Sequence, residues 1–169
     1  MDEQTKVGTL LHSEHVKTLE AMENLERFLQ RHSRRDPPKP GNAETTEILQ
    51  SLLGDLAGEV DRHFSFEENR LFPLLAERGH NGIVAMLTEE HEIIRPLVRE
   101  LAREAATALA GAGFLPQGWQ EFHDRASELC ERETFHIQKE EMGLIGALRF
   151  LLDADTDTRL AELYVAEAG

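Results

Sequence analysis

Four long stretches of this 169-residue chain place their apolar residues three, four or seven positions apart. This spacing is typical of amphipathic helices, and none of the stretches alternates apolar and polar residues as a β-strand does. Segments rich in proline and glycine separate the stretches, and proline lacks the amide hydrogen that a helix interior needs. The sequence therefore predicts an all-α fold with helices at roughly 7–34, 44–77, 82–110 and 118–152.

Amphipathic helices joined by short connections favour an up-down-up-down four-helix bundle in which every apolar stripe faces a common axis. The run DADTDT after the fourth stretch resembles a helix start, so we expect a short C-terminal helix over about 155–167. A chain of this length forms one domain by default. We therefore expect a single domain over residues 1–169, with the bundle at about 7–152.

Composition excludes several classes of protein. With 32 acidic and 18 basic residues, the net charge of −14 argues against a nucleic acid or an anionic membrane surface as partner. Cys130 is the only cysteine, so no disulfide can form within the chain, and a reducing compartment is expected. The start MDEQTK lacks the apolar part of a signal peptide, and no apolar run is long enough to span a bilayer. These features predict a cytoplasmic protein.

Polar residues interrupt the apolar stripes at one point in each predicted helix. A histidine lies in every stripe, and in two stripes a glutamate follows it four residues later, on the same helix face. Burying such groups unpaired is costly, and facing helices of a bundle use them to hold a pair of metal ions. The residues concerned are His15, His63, Glu67, His91, His136 and Glu140.

Any one of these histidines, taken alone, is more often a hydrogen-bonded core residue than a metal ligand. The set is more informative, because HFSFEE and FHIQKEE both contain His-x-x-x-Glu-Glu and each helix contributes one histidine on its core side. We therefore interpret the six residues jointly as a metal site.

The residues around these positions resemble a known family. The segments HFSFEENRLFPLLAERG, EEHEIIRPL and FHIQKEEMGLIGAL, with the pair Glu14–His15, are similar to the hemerythrin-like (HHE cation-binding) domain over about residues 7–152. The resemblance implies a four-helix bundle that holds a non-haem di-iron centre. It also implies that Glu67 and Glu140 bridge the two irons, with two of the four histidines on each iron.

A solvent-derived oxo or hydroxo bridge would bring each iron to about five ligands and leave one position open for dioxygen, nitric oxide, peroxide or azide. Nitrogen and oxygen ligands of this kind also suit manganese or zinc, and the resemblance favours iron. We expect a protein that binds or senses oxygen, nitric oxide, iron supply or redox state. A small di-iron oxidase or peroxidase, or a nitrosative-stress protein, is the alternative, and a metal-free interaction protein is a third. The sequence does not indicate a protein partner.

The chain departs from the oxygen-carrying members. They place a second histidine where this chain has Arg95, and they end in His-x-x-x-x-Asp, where this chain has His136-x-x-x-Glu140. It is closer to a branch that includes an iron-sensing ubiquitin-ligase domain and bacterial iron-centre repair proteins. The repair proteins carry an additional N-terminal domain with a cysteine, for which the residues before Val7 are too few. Oxygen carriage and repair are thus both less expected.

Several neighbouring residues have weaker roles. Glu68 and Glu141 could orient a ligand, and His12 is expected at the rim of the site or as a seventh ligand. His32 is expected to cap the first helix. We expect solvent exposure for His80, for His123 and for the ERE run around Arg132. Tyr164 lies outside the predicted bundle helices, and we expect no radical role for it near the metals. Apolar residues are expected to enclose the ligands: Phe64, Phe66, Leu71, Phe72, Phe135 and Ile137.

Overall fold

A computed structural model describes residues 4–168, which form helices and connecting turns without a β-strand. The first predicted stretch is α1 (Lys6–Arg31), and the third is α5 (Asn81–Ala110). The second contains α2 (Ala43–Ser51), α3 (Ala57–Phe66) and α4 (Phe72–Glu77), joined by π-helical turns at Leu52–Leu56 and Glu67–Leu71. The fourth contains α6 (Pro116–Lys139), a π-helical turn at Glu140–Ile145, and α7 (Gly146–Leu151), and it is followed by α8 (Ala154–Glu167).

These elements confirm the predicted all-α class, while the up-down-up-down order stays a prediction. Among residues 4–168, side chains cap the starts of α1, α2 and α8, and the sequence predicts the cap of α8. Thr5 accepts a hydrogen bond from the Gly8 amide at 3.1 Å, Asn42 from the Thr45 amide at 3.0 Å, and Asp153 from the Thr156 amide at 2.7 Å. Within residues 4–168, no helix is long and apolar enough to cross a membrane.

The core is divided into two apolar clusters. The first cluster includes Met22, Leu52, Val60, Val98 and Leu129, and the second includes Leu11, Leu71, Leu87, Leu144 and Leu160. Each of the four predicted stretches contributes residues to both clusters. The polar residues of the stripes therefore lie along each helix between its two apolar ends.

The apolar stripe of the second stretch changes register along the chain. Leu74 is expected in the stripe because it lies 14 residues, close to four α-helical turns, after Val60. In the structure Leu74 is only half-buried, and Leu75 is 1% exposed. The π-helical turn at Glu67–Leu71 explains this shift, because its wider turn delays the following face by about one residue.

The C-terminal helix packs against α1 at the start of that helix. Asp157 of α8 accepts the backbone amides of Lys6 at 2.8 Å and of Val7 at 3.0 Å, so it satisfies two of the amides that a helix start leaves unpaired. Leu160 and Tyr164, on the same face of α8, are buried in the second apolar cluster. The docking of α8 therefore depends on a cap shared between two helices as well as on apolar packing.

We expect the Asp157→Ala variant to lower the free energy of unfolding by about 1–2 kcal/mol, because two amides at the start of α1 lose their acceptor. Urea denaturation followed by circular dichroism measures this loss. Asp155→Ala is the matched control, because Asp155 is exposed in the same first turn of α8, and it should change stability by less than about 0.5 kcal/mol. Equal effects of the two substitutions on stability would contradict the capping of α1 by Asp157.

Candidate metal centre

The six residues that the sequence predicts as ligands lie together between the two apolar clusters. All are buried, and the most exposed of them, His63, is 7% exposed. They form two groups, and within each group the four possible ligand atoms lie within 4.8 Å of one another. The first group is His15, His63, Glu67 and Glu140, and the second is Glu67, His91, His136 and Glu140.

Glu140 faces both groups with different oxygen atoms. Its Oε2 lies 2.9 Å from Nε2 of His15, and its Oε1 lies 2.8 Å from Nε2 of His136. A carboxylate placed in this way can give one oxygen to each of two cations.

Glu67 repeats this division on the opposite side. Its Oε1 lies 3.3 Å from Nε2 of His63, and its Oε2 lies 3.4 Å from Nε2 of His91. Each group therefore has two imidazole nitrogens and one oxygen from each of two shared carboxylates. This arrangement could hold two metal ions with Glu67 and Glu140 between them.

The four imidazoles have the same orientation, with Nε2 toward the centre and Nδ1 toward a second carboxylate. The distances from Nδ1 to that carboxylate are 2.5 Å for His15–Glu141, 3.1 Å for His63–Glu14, 2.9 Å for His91–Glu68 and 2.7 Å for His136–Glu90. An ionised carboxylate only accepts hydrogen bonds, so Nδ1–H donates, and Nε2 is the nitrogen that offers a lone pair once the imidazole is neutral. This is the tautomer that binds a metal through Nε2.

The four histidine–carboxylate bonds form a ring around the bundle. Glu14 links α1 to α3, and Glu68 links the π-helical turn after α3 to α5. Glu90 links α5 to α6, and Glu141 links the π-helical turn after α6 back to α1. Each histidine is therefore held by a neighbouring helical stretch, which fixes its ring against the other three.

Basic side chains lie outside this ring and contact its carboxylates. Arg62 pairs with Glu14 and Lys139 pairs with Glu90. The Arg95 guanidinium lies 3.0 Å from Glu68, in the position where the oxygen-carrying proteins have a histidine. Arg95 supports a histidine–carboxylate pair here and does not face the centre.

The predicted supporting roles of Glu68 and Glu141 agree with these contacts, whereas Glu14 and Glu90 are not among the predicted residues. A signal for them exists in the sequence, because each directly precedes one of the stripe histidines. The bonds that they make cross to a histidine on another helix, so they depend on how the helices face one another.

The remaining histidines lie outside the two groups. His12 is exposed and its Nδ1 lies 3.0 Å from Glu141, so it occupies the rim as expected. His32 is the residue at the C-terminal end of α1, and His80 is exposed. The expectation for His123 is wrong, because its ring is half-buried against Trp119 and its Nε2 donates to the carbonyl of Leu29 at 3.2 Å.

Tyr164 is much closer to the site than the sequence suggests. It is 3% exposed, and its hydroxyl lies 3.4 Å from Nδ1 of His63. The ring packs edge-on against Phe66. The docking of α8 on α1 brings Tyr164 to this place, although it lies outside the predicted bundle helices.

Aromatic rings enclose the centre largely as predicted. The Phe64 ring stacks on His91 with 3.7 Å between ring centroids, and Phe72 lies 5.4 Å from the same imidazole. Phe135 is an exception, because it is 54% exposed. Glu133 of the ERE run is a second correction, since it is buried although a solvated face was expected.

The charges of the centre balance one another in the metal-free protein. Burial alone would lower the pKa of His136, but the Glu140 carboxylate, with Glu133 and Glu90, raises it to about 9. Burial would raise the pKa of Glu140, but the neighbouring histidines hold it well below its ordinary value. Near pH 7 this pair is ionised, so protons occupy positions that a metal would take.

Several inward-facing atoms of the centre have no partner in hydrogen-bonding geometry among the described residues. These atoms are both carboxylate oxygens of Glu67 and of Glu140, and Nε2 of His91 and of His136. Leaving buried polar atoms unpaired is costly, and a shared cation removes this cost. The unpaired lone pairs and the nitrogen–oxygen donor set therefore fit a metal site.

Comparison with known proteins agrees with this chemistry. The family model of the hemerythrin HHE cation binding domain matches residues 7–116 and 82–166. A search of curated proteins gives no significant match. The two matched ranges together include all six predicted ligands and all four outer carboxylates. The chain therefore belongs to the hemerythrin HHE cation-binding family.

Proposed function

We propose that this protein holds two iron ions and binds or senses a small molecule, such as dioxygen, nitric oxide or peroxide, through them. The observation that carries the proposal is the division of Glu67 and Glu140 between two groups of histidines. One carboxylate oxygen for each group is the arrangement expected when two cations share two bridging ligands. The six proposed ligands are His15, His63, Glu67, His91, His136 and Glu140.

The donor set supports iron or manganese, and the resemblance to di-iron proteins favours iron between them. Two imidazoles and two carboxylate oxygens for each position suit iron, manganese or zinc, and carboxylate-bridged pairs in helical bundles are typical of iron and manganese. Bound iron would supply redox-active centres with a coordination position open to a small ligand.

The residues of the chain position and shield the metals. The four imidazoles present Nε2, and the ring of outer carboxylates keeps each imidazole in that tautomer. Phe64 and Phe72 cover His91 and exclude water from that side. Since every proposed ligand is at most 7% exposed, only small molecules can reach the centre without movement of a helix.

This burial favours binding or sensing of a small molecule over turnover of an organic substrate. A peroxidase or oxidase acting on a small substrate would use the same ligands. Steady-state consumption of hydrogen peroxide that disappears in the His63→Ala variant would favour the enzyme. Stoichiometric binding without turnover would favour the sensor.

We expect aerobically purified protein to contain about two irons per chain and to show near-ultraviolet charge-transfer bands of a ferric pair. Metal analysis with an optical spectrum measures both. Glu140→Ala should lose most of the iron, because it removes a ligand from both positions, whereas His80→Ala alters an exposed loop residue and should retain two irons. Protein that folds but takes up no iron, manganese or zinc would contradict the proposal.

Metal loading should also stabilise the bundle. A ligand present at 100 times its dissociation constant adds about 2.7 kcal/mol of stability, which corresponds to a rise of about 5–10 °C in the melting temperature of a chain of this size. Circular dichroism melts of metal-free and iron-loaded protein measure the difference. Identical melting temperatures would show that metal does not stabilise these buried groups.

Metal binding should release protons. Because the pKa of His136 is raised to about 9 in the metal-free protein, its imidazole is protonated at pH 7 and must lose that proton to bind a metal. We expect Zn²⁺, used as a redox-silent probe, to release about one proton or more at pH 7 and to bind more weakly as the pH falls. Calorimetry in buffers of different ionisation enthalpy measures the release. Binding without proton release would contradict the loss of a proton from His136 on metal binding.

A further inference from the structure

Glu133 is a buried acidic residue that the two metal-binding groups do not use. It lies on α6, three residues before His136 and seven before Glu140, so the three side chains share one helix face. Glu133 is 3% exposed, and its Oε2 has no hydrogen-bond partner among the described residues. Burial also raises the pKa of this carboxyl group. A side chain in this state needs a partner that the packed chain does not supply.

A small cavity lies beside Glu133 at the His15 side of the centre. Its polar walls include His15, His63, Glu133 and Glu140, and its apolar walls are Val60, Phe64 and Ile137. The centre of a water-sized molecule can move within about 10 Å³ there, which is room for one such molecule. The cavity therefore has space for a ligand of one or two heavy atoms.

The cavity distinguishes the two proposed metal positions. Both histidines of the first group line it, and neither histidine of the second group does. The Phe64 ring also lines the cavity and stacks on His91, an imidazole that does not line it. The structure thus places the free volume next to the metal position of His15 and His63.

A surface groove adjoins the same cavity. The groove, of about 790 Å³, lies between α1 and the α2–α3 stretch, and both Thr18 and Glu59 line the groove and the cavity. Both side chains are half-buried. The cavity therefore lies next to the groove, with these two side chains at their common boundary.

We propose that Glu133 is the polar side chain that contacts a small neutral ligand, of diatomic size, bound to the metal held by His15 and His63. This inference rests on the proposed dimetal site and adds to it which of the two metals takes the ligand. Glu133 acts as a positioning residue, because the O–H of its carboxyl group donates a hydrogen bond to the ligand and leaves the metal ligands unchanged. Its side chain is not in either four-atom group, which agrees with a role beside the metals.

Nitric oxide added anaerobically to the diferrous protein is the probe. Its affinity is measured by optical titration, the N–O stretch by infrared spectroscopy, and the two iron environments by Mössbauer spectroscopy. In the wild type, one nitric oxide should bind and change one of the two irons.

The Glu133→Leu variant removes the hydrogen bond at similar side-chain volume, so it should weaken nitric oxide binding about tenfold and raise the N–O stretching frequency. Glu133→Gln keeps a hydrogen-bonding group, so its nitric oxide affinity and its N–O stretching frequency should be close to those of the wild type.

Glu104→Gln is the matched control. Glu104 on α5 also has a buried oxygen without a hydrogen-bond partner, and it lies 13 residues, about 20 Å of helix, beyond His91. Its substitution should leave nitric oxide binding and the N–O stretch unchanged.

Three outcomes would overturn the inference, and they differ in what they leave standing. Unchanged affinity and stretch in Glu133→Leu, in protein with two irons, would remove the role of Glu133 and leave the di-iron proposal intact. Loss of one iron in Glu133→Gln would make Glu133 a metal ligand and not a ligand contact. Wild-type protein that binds no nitric oxide would overturn the inference, and it would remove the proposed function as well if that protein also held no iron.

Discussion

The structure depends on how a helical bundle tolerates six buried polar side chains between two apolar clusters. An ionised carboxylate in such a place costs several kcal/mol unless other charges surround it closely. In this protein, charged and polar side chains surround the centre in three successive layers. Inner carboxylates face the histidines, outer carboxylates accept from their Nδ1 atoms, and basic side chains lie outside these. Two cations at the centre would satisfy the inner lone pairs that the chain itself leaves unpaired.

The ring of histidine–carboxylate bonds also gives Arg95 a structural role. Arg95 contacts both Glu68 and Asp61, so it fixes the carboxylate that orients His91. With four histidines divided equally, the two positions have equal donor sets. The difference between them then arises from their surroundings, because the cavity with Glu133 reaches His15 and His63 of the first group, whereas Phe64 covers His91 of the second.

Much of the fold and the inner site could be predicted from the sequence, because both follow from helical periodicity. His63 and Glu67 are one turn apart, and this spacing alone places them on one face. Periodicity within a helix does not show which residues of two helices meet, so Glu14 and Glu90 could not be assigned to their histidines. Tyr164 required knowledge of how α8 docks.

Glu133 shows a different limit of the sequence pattern. In the run Glu131–Arg132–Glu133 the charges suggest a solvated surface, and the first two residues are indeed exposed. The third lies three residues before His136, a spacing that returns to the inward face of α6. The charges of its neighbours led to the expectation that Glu133 is exposed. The composition of a short run indicates exposure less reliably than the helical phase of each residue.

The π-helical turns account for the last difference between the sequence pattern and the structure. Two of the three begin at Glu67 and at Glu140, the carboxylates that face both groups. Single π-helical turns are frequent at functional sites, where one extra residue changes the register of a helix. After the turn at Glu67, the consecutive residues Leu71 and Phe72 are both buried. The extra residue therefore lets Glu67 face the centre while the next turn packs its own apolar face. With strict α-helical spacing, either Glu67 or the apolar residues of the next turn would face away from the interior. A constant helical period therefore does not predict the buried face after Glu67.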